Sequence, residues 1–123
     1  MRARSNYLTL RKLVISIMKD IVLYIAAAFF EIFGCFAFWK FFKLQKPWYW
    51  LVPGAVSLII FGFLLTRVQA EFAGRAYAIY GGIYIAASLS WLYFAEHQSP
   101  DRWDIVGAAI CLAGACIILF MPR

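Results

Sequence analysis

The residue of this 123-residue chain that most demands a chemical explanation is Glu31. It is the single charge in the stretch Ile21 to Trp39, IVLYIAAAFFEIFGCFAFW. At about 1.5 Å of rise per helical residue, that stretch matches the roughly 30 Å hydrocarbon core of a bilayer. Glu31 would then lie near the midplane, where an ionised side chain costs about 2.5 to 3.5 kcal/mol even on insertion scales. An acid placed there needs a proton, a cation or a hydrogen-bonding partner. Its helical neighbours three, four and seven residues away are Tyr24, Ala27, Ala28, Gly34, Cys35 and Phe38, a stripe made largely of small residues. Small residues admit a second backbone, which would turn Glu31 toward protein rather than lipid. In that setting a carboxyl can exchange a proton for a cation. The plainer alternative is a permanently protonated Glu31, hydrogen-bonded to a tyrosine or a carbonyl.

A second set of residues could serve the same chemistry. Tyr77, Tyr80, Tyr84, Ser88 and Trp91 follow one another at intervals of three, four, four and three, which lays them along one helical face. Aromatic rings attract organic cations, and a tyrosine hydroxyl can hydrogen-bond a carboxylate. Tyr77 and Trp91 lie near the ends of their stretch and also suit the headgroup region, whereas Tyr80 and Tyr84 lie too deep for that role. Gly81 and Gly82 sit in mid-stretch and predict either a kink or a close helix contact. In the last apolar stretch Gly107 and Gly114 are seven residues apart on one face, extended by Cys111 and Ala115. Such a small-residue face predicts helix pairing between two copies of the chain, with packing inside one copy as the alternative.

Other chemistries find little to work with. His97 is the sole histidine and falls in a polar connection, and no serine has a base at a recognisable spacing. Cys35, Cys111 and Cys116 lie inside apolar runs without paired spacing, as small packing residues do. No phosphate-cradling glycine loop is present. The expectation is a protein that is not an enzyme and takes no cofactor and no metal. The 12 Lys and Arg residues lie between apolar runs and form no aromatic-interleaved basic face, so lipid headgroups rather than nucleic acid are their expected partners.

These residues must be positioned by membrane helices. Hydrophobic residues make up 65% of the chain and charged residues 15%, with a mean hydropathy of +0.78, outside the range of soluble globular domains. The length accommodates four spans and no separate soluble domain. The predicted spans are about 21–39, 48–66, 76–94 and 105–121, a single all-α membrane domain over residues 21–121. Trp48, Tyr49 and Trp50 mark a headgroup level, and Pro53 with Gly54 predicts a bend one turn into the second span. Short connections make neighbouring helices antiparallel and place both termini on one side.

Residues 1–20 form a basic extension that is too polar to span and lacks the continuous apolar core of a signal peptide. They read either as an interfacial amphipathic helix or as sequence preceding a natural start at Met18. The start matters for orientation. The whole chain carries five basic residues before the first span, two in the second connection and Arg123 on the termini side, against four on the other, which predicts termini inside. From Met18 onward the balance is four against four, as a chain inserting in both orientations would need.

The segments FEIFGCF at Phe30 to Phe36, GRAYAIYGGIY at Gly74 to Tyr84, and WDIVGAAICLAG at Trp103 to Gly114 resemble the YnfA-like family of small bacterial membrane proteins. That family is similar in turn to the small multidrug resistance transporters. The resemblance implies a four-helix, dual-topology, antiparallel homodimer in the bacterial cell (inner) membrane that exports cationic or lipophilic aromatic compounds in exchange for protons. It implies a shared proton and substrate site at Glu31, followed by Gly34, with aromatic contacts from Tyr77 and Tyr80. It also implies a helix-pairing role for Gly107 and Gly114. The chain departs from the transporters at Gly81, Gly82 and Tyr84, where an extra tyrosine enters the same face. A drug-sized pocket needs about 300 Å³ or more, which a filled four-helix bundle does not leave, so the site is expected between two copies. The alternative is a non-transporting membrane subunit in which Glu31 is a structural pairing residue.

Overall fold

The computed structural model describes residues 2–122, Arg2 through its backbone alone. They form four helices: α1 (Arg2–Phe42), α2 (Leu51–Leu65), α3 (Ala73–Phe94) and α4 (Arg102–Phe120). A single 3₁₀ turn, Trp48–Trp50, leads into α2. No strand occurs among the described residues. The fold is that of an all-helical membrane protein.

The largest departure from expectation is α1, one uninterrupted helix of 41 residues. The predicted boundary near Asp20 rested on a change in polarity, but polarity does not stop a helix. No glycine or proline occurs before Gly34, so nothing in the backbone ends it. Its C-terminus is closed by a Schellman arrangement: Gln45 has φ 55°, and the Lys46 N–H donates to the Lys40 carbonyl at 2.9 Å. α3 ends the same way, with His97 at φ 59° and Gln98 N–H donating to the Leu92 carbonyl at 3.0 Å. His97, expected in a loop, is the exposed left-handed residue of that cap.

α2 continues unbroken through Pro53, where a bend was expected. α2 begins at Leu51, which puts Pro53 in the first turn, where its missing N–H removes no intrahelical bond. α4 begins three residues earlier than the apolar run suggests. Asp101 caps it: its side chain accepts from the Asp104 N–H at 2.8 Å, and the Asp104 carboxylate accepts from the Asp101 N–H at 3.1 Å.

α1 packs against α2 and α3, and α3 packs against α4, so α1 and α3 are the inner pair. Along α1 and α2 the partners are Gly34 with Gly54, Phe30 with Ser57, and Asp20 with Gln69 just beyond α2, the register of an antiparallel pair. The backbones nearly touch: a Cβ at Gly34 would lie 2.9 Å from the Gly54 carbonyl oxygen and 2.7 Å from Leu58. Ser57 Oγ uses this proximity to donate to the Phe30 carbonyl at 2.6 Å. The core is Tyr24, Ala27 and Ala28 of α1 with Ile79 and Tyr80 of α3.

Outward-facing residues of α2 and α4 are apolar, including Val56, Ile59, Phe63, Ile110 and Ile117. A surface of this kind matches hydrocarbon as its solvent. By length and composition α1, α2 together with the 3₁₀ turn before it, and α4 can each cross a membrane. α3 has 22 residues, but its tyrosines, serines and glycines leave it less apolar than the membrane-length stretches of the other three. Cations gather near aromatic rings at the helix ends, with Lys40 Nζ 4.4 Å from the Trp50 ring and the Arg102 guanidinium 4.9 Å from the Trp103 ring.

Candidate functional site

The candidate site forms where the inner helices meet. α1 presents Glu31 toward α3, because the small residues on this side, Ala27, Ala28 and Gly34, are buried and let the neighbouring helices approach. From α3, Tyr80 donates its hydroxyl hydrogen to Glu31 Oε2 at 2.5 Å. A hydrogen bond to a carboxyl in a dry site is the partner that a membrane-embedded acid requires. Tyr80 is only 7% exposed, and three rings surround it: Phe61 of α2 at 5.6 Å, Tyr84 at 5.8 Å and Tyr24 of α1 at 6.3 Å between centroids. Glu31 itself is partly buried. The Glu31 carboxyl thus meets one tyrosine hydroxyl, backed by three further rings, which can stabilise it as an anion or as a neutral acid.

The predicted aromatic face divides. Tyr80 and Tyr84 gather at Glu31. Ser88 and Trp91 line, with Tyr84, Cys35, Phe36, Trp39 and Glu96, an open cavity of about 290 Å³ along α1 and α3. Trp91 packs edge-on against Phe36 with centroids 5.3 Å apart, and its buried Nε1–H has no hydrogen-bond partner. Tyr77 is 56% exposed and is not part of the buried cluster of Tyr24, Ala27, Ala28, Ile79 and Tyr80. The chain also carries a cavity of about 430 Å³ against α3 and α4.

The glycines divide as well. Gly34 and Gly82 sit at contacts within the chain: a Cβ at Gly82 would lie 2.5 Å from Ala115 Cβ and 3.0 Å from the Cys111 carbonyl oxygen. α3 runs through this point without interruption, and Gly82 marks a close contact. Gly81, Gly107 and Gly114 meet nothing within 4 Å. Cys111 and Ala115, grouped with Gly107 and Gly114 by spacing, face α3 instead.

Asp20 went unmarked by the sequence reading, which placed it in the polar extension. It is 7% exposed, and its two carboxylate oxygens share the Gln69 N–H, each at 3.2 Å. The available signal was its position four residues before Tyr24 and eleven before Glu31, on Glu31's own helical face.

Comparison with known proteins accords with this reading of a small membrane bundle. Residues 17–123 match the family described as "Uncharacterised BCR, YnfA/UPF0060 family". A UPF0060 membrane protein of Brucella anthropi is 60% identical over 101 residues, covering 82% of this chain and 95% of the relative. A UPF0060 membrane protein of Rhizobium etli is 60% identical over 102 residues, covering 83% and 96%. No solved structure matches the chain. With most of its length matched in both comparisons, the chain belongs to the YnfA/UPF0060 family of membrane proteins.

Proposed function

We propose that the chain exports small cationic or lipophilic aromatic compounds across the bacterial cell membrane in exchange for protons, and that it works as an antiparallel, dual-topology homodimer. The observation that carries this reading is the Glu31 carboxyl, deep in an apolar helix, held by the Tyr80 hydroxyl among the rings of Tyr84, Phe61 and Tyr24. In this reading α3 crosses the membrane with its neighbours, with Tyr80 and Tyr84 turned toward α1 and the binding site.

Without substrate, Glu31 is protonated, because a lone ion at this depth is costly. A lipophilic cation entering beside the carboxyl makes the ion favourable, and the proton leaves. Tyr80 keeps its hydrogen bond to whichever carboxyl oxygen remains unprotonated, and the surrounding ring faces supply cation–π attraction. Gly107 and Gly114, open in the single chain, offer the surface on which two copies pair. Exchange between two inequivalent halves then turns the site from one side of the membrane to the other.

The test is proton release from detergent-purified protein on addition of ethidium, a planar aromatic cation, near neutral pH. Wild type is expected to release protons and Glu31→Gln to release none. Equal release from both would refute the mechanism. The same Tyr80 hydrogen bond favours one other reading, a non-transporting subunit in which Glu31 is structural. That reading predicts no release from wild type and a stoichiometric partner protein on purification.

A further inference from the structure

Asp20 is a buried carboxylate that the Glu31 mechanism does not use. α1 carries it one turn before Tyr24 and three turns before Glu31, all on one face. A cavity of about 320 Å³ adjoins it, with Asp20, Tyr24, Gln69, Glu71 and Arg75 in its lining. The charged and polar groups around Asp20 come from Lys19 and Tyr24 on α1, Gln69 and Glu71 in the connection after α2, and Arg75 on α3. Among the described residues, α4 and its end contribute Ile118, Leu119 and Met121 to that lining. Glu71 and Arg75 are both exposed, so the cavity lies at the polar end of the bundle.

Between this cavity and Glu31 stands Tyr24, 1% exposed, with its ring 6.3 Å from that of Tyr80. Tyr80 in turn donates to Glu31. Groups that can take and give a proton therefore recur from the bundle end to the middle of the membrane, flanked by Ala27, Ala28 and Ile79, which can do neither.

We propose that Asp20 is a second proton-binding site, which loads and unloads Glu31 by way of Tyr24 and Tyr80. This rests on the reading of Glu31 as a proton-exchanging acid. A proton taken up from the cavity resides on an Asp20 oxygen. When it moves to the Tyr24 oxygen, the hydroxyl hydrogen of Tyr24 passes to Tyr80, and that of Tyr80 passes to Glu31. Each tyrosine ends with one hydroxyl hydrogen, as it began; Asp20 has lost one proton and Glu31 has gained one. Cation binding at Glu31 drives the same steps in reverse.

Asp20 also has a structural role available, as acceptor for the Gln69 N–H, and the test must separate the two. Asp20→Asn keeps an acceptor oxygen for Gln69 but cannot serve as the proton-carrying acid. The full chain in detergent is mixed with ethidium in a stopped-flow instrument, and released protons are followed with a pH-indicator dye. Asp20→Asn is expected to release the same number of protons as wild type at a rate lower by at least about tenfold. Tyr24→Phe, which keeps the buried ring and removes only the hydroxyl, is expected to do the same and carries the test should Asp20→Asn not fold. Wild-type rates in a folded Asp20→Asn or in Tyr24→Phe would overturn the proposal and leave Asp20 as a cap on Gln69. Absence of release from wild type would instead sink the Glu31 reading, and this one with it.

Discussion

Alanine at each of the two adjacent glycines of α3 separates helix propensity from helix packing. Both positions lie in mid-helix, so each substitution gains about the same 0.5–1 kcal/mol from removing glycine's backbone freedom. Their surroundings differ. A Cβ at position 81 meets nothing within 4 Å, whereas at position 82 it would stand 2.5 Å from Ala115 Cβ and 3.0 Å from a Cys111 backbone oxygen. Carbon atoms in contact prefer about 3.5–4.0 Å, so α3 and α4 must part by about 1 Å. Neither obstructing atom can swing aside, since one belongs to the backbone and the other is fixed to it. Overpacking of this kind costs about 1–3 kcal/mol. Gly81→Ala should therefore be up to about 1 kcal/mol more stable than wild type, and Gly82→Ala about 1–3 kcal/mol less stable than Gly81→Ala. The assay is loss of far-ultraviolet circular dichroism on titrating the purified protein with a denaturing detergent in mixed micelles. Equal stability of the two variants, or greater stability of Gly82→Ala, would refute the packing of α3 on α4 described above.

Two further substitutions test other contacts. A double-mutant cycle of Tyr80→Phe with Glu31→Ala, read in the same unfolding assay without substrate, should give a coupling of about 0.5–1.5 kcal/mol, the range for a hydrogen bond between neutral groups; a coupling near zero would mean the pair does not interact. Asp101→Ala should cost about 1 kcal/mol through loss of the α4 cap, while Asp101→Asn, a good cap itself, should cost much less; equal losses would show that the cap hydrogen bond is not what stabilises α4.

Much of the architecture was legible because hydrocarbon imposes simple rules. Long apolar runs must be helical in lipid, and the acid in one run required a polar partner, for which the spacing of α3 supplied Tyr80 and Tyr84. Less legible was anything set by a junction between polar and apolar sequence. Asp20 looked like the edge of a span because it is charged, yet α1 continues through it and folds it against Gln69. The start of α4 was misplaced for the opposite reason: an apolar criterion begins at Ile105, while the Asp101 and Asp104 cap lies in the polar turn before it. Spacing grouped Cys111 and Ala115 with Gly107 and Gly114, but periodicity states only which residues share a face. Which helix covers part of that face depends on the crossing of α3 and α4, and that is fixed by the fit at Gly82.

The unbroken α1 makes its first half a pointer for its second. From Glu31 to Thr9 the helix rises roughly 33 Å, so a tilt of about 10° near Glu31 would carry Thr9 through roughly 6 Å. The exposed side of this segment offers attachment sites for a fluorophore or spin label far from the rings around Glu31. A rotation too small to resolve at the carboxyl itself would thus be magnified into a displacement within the range of distance spectroscopy.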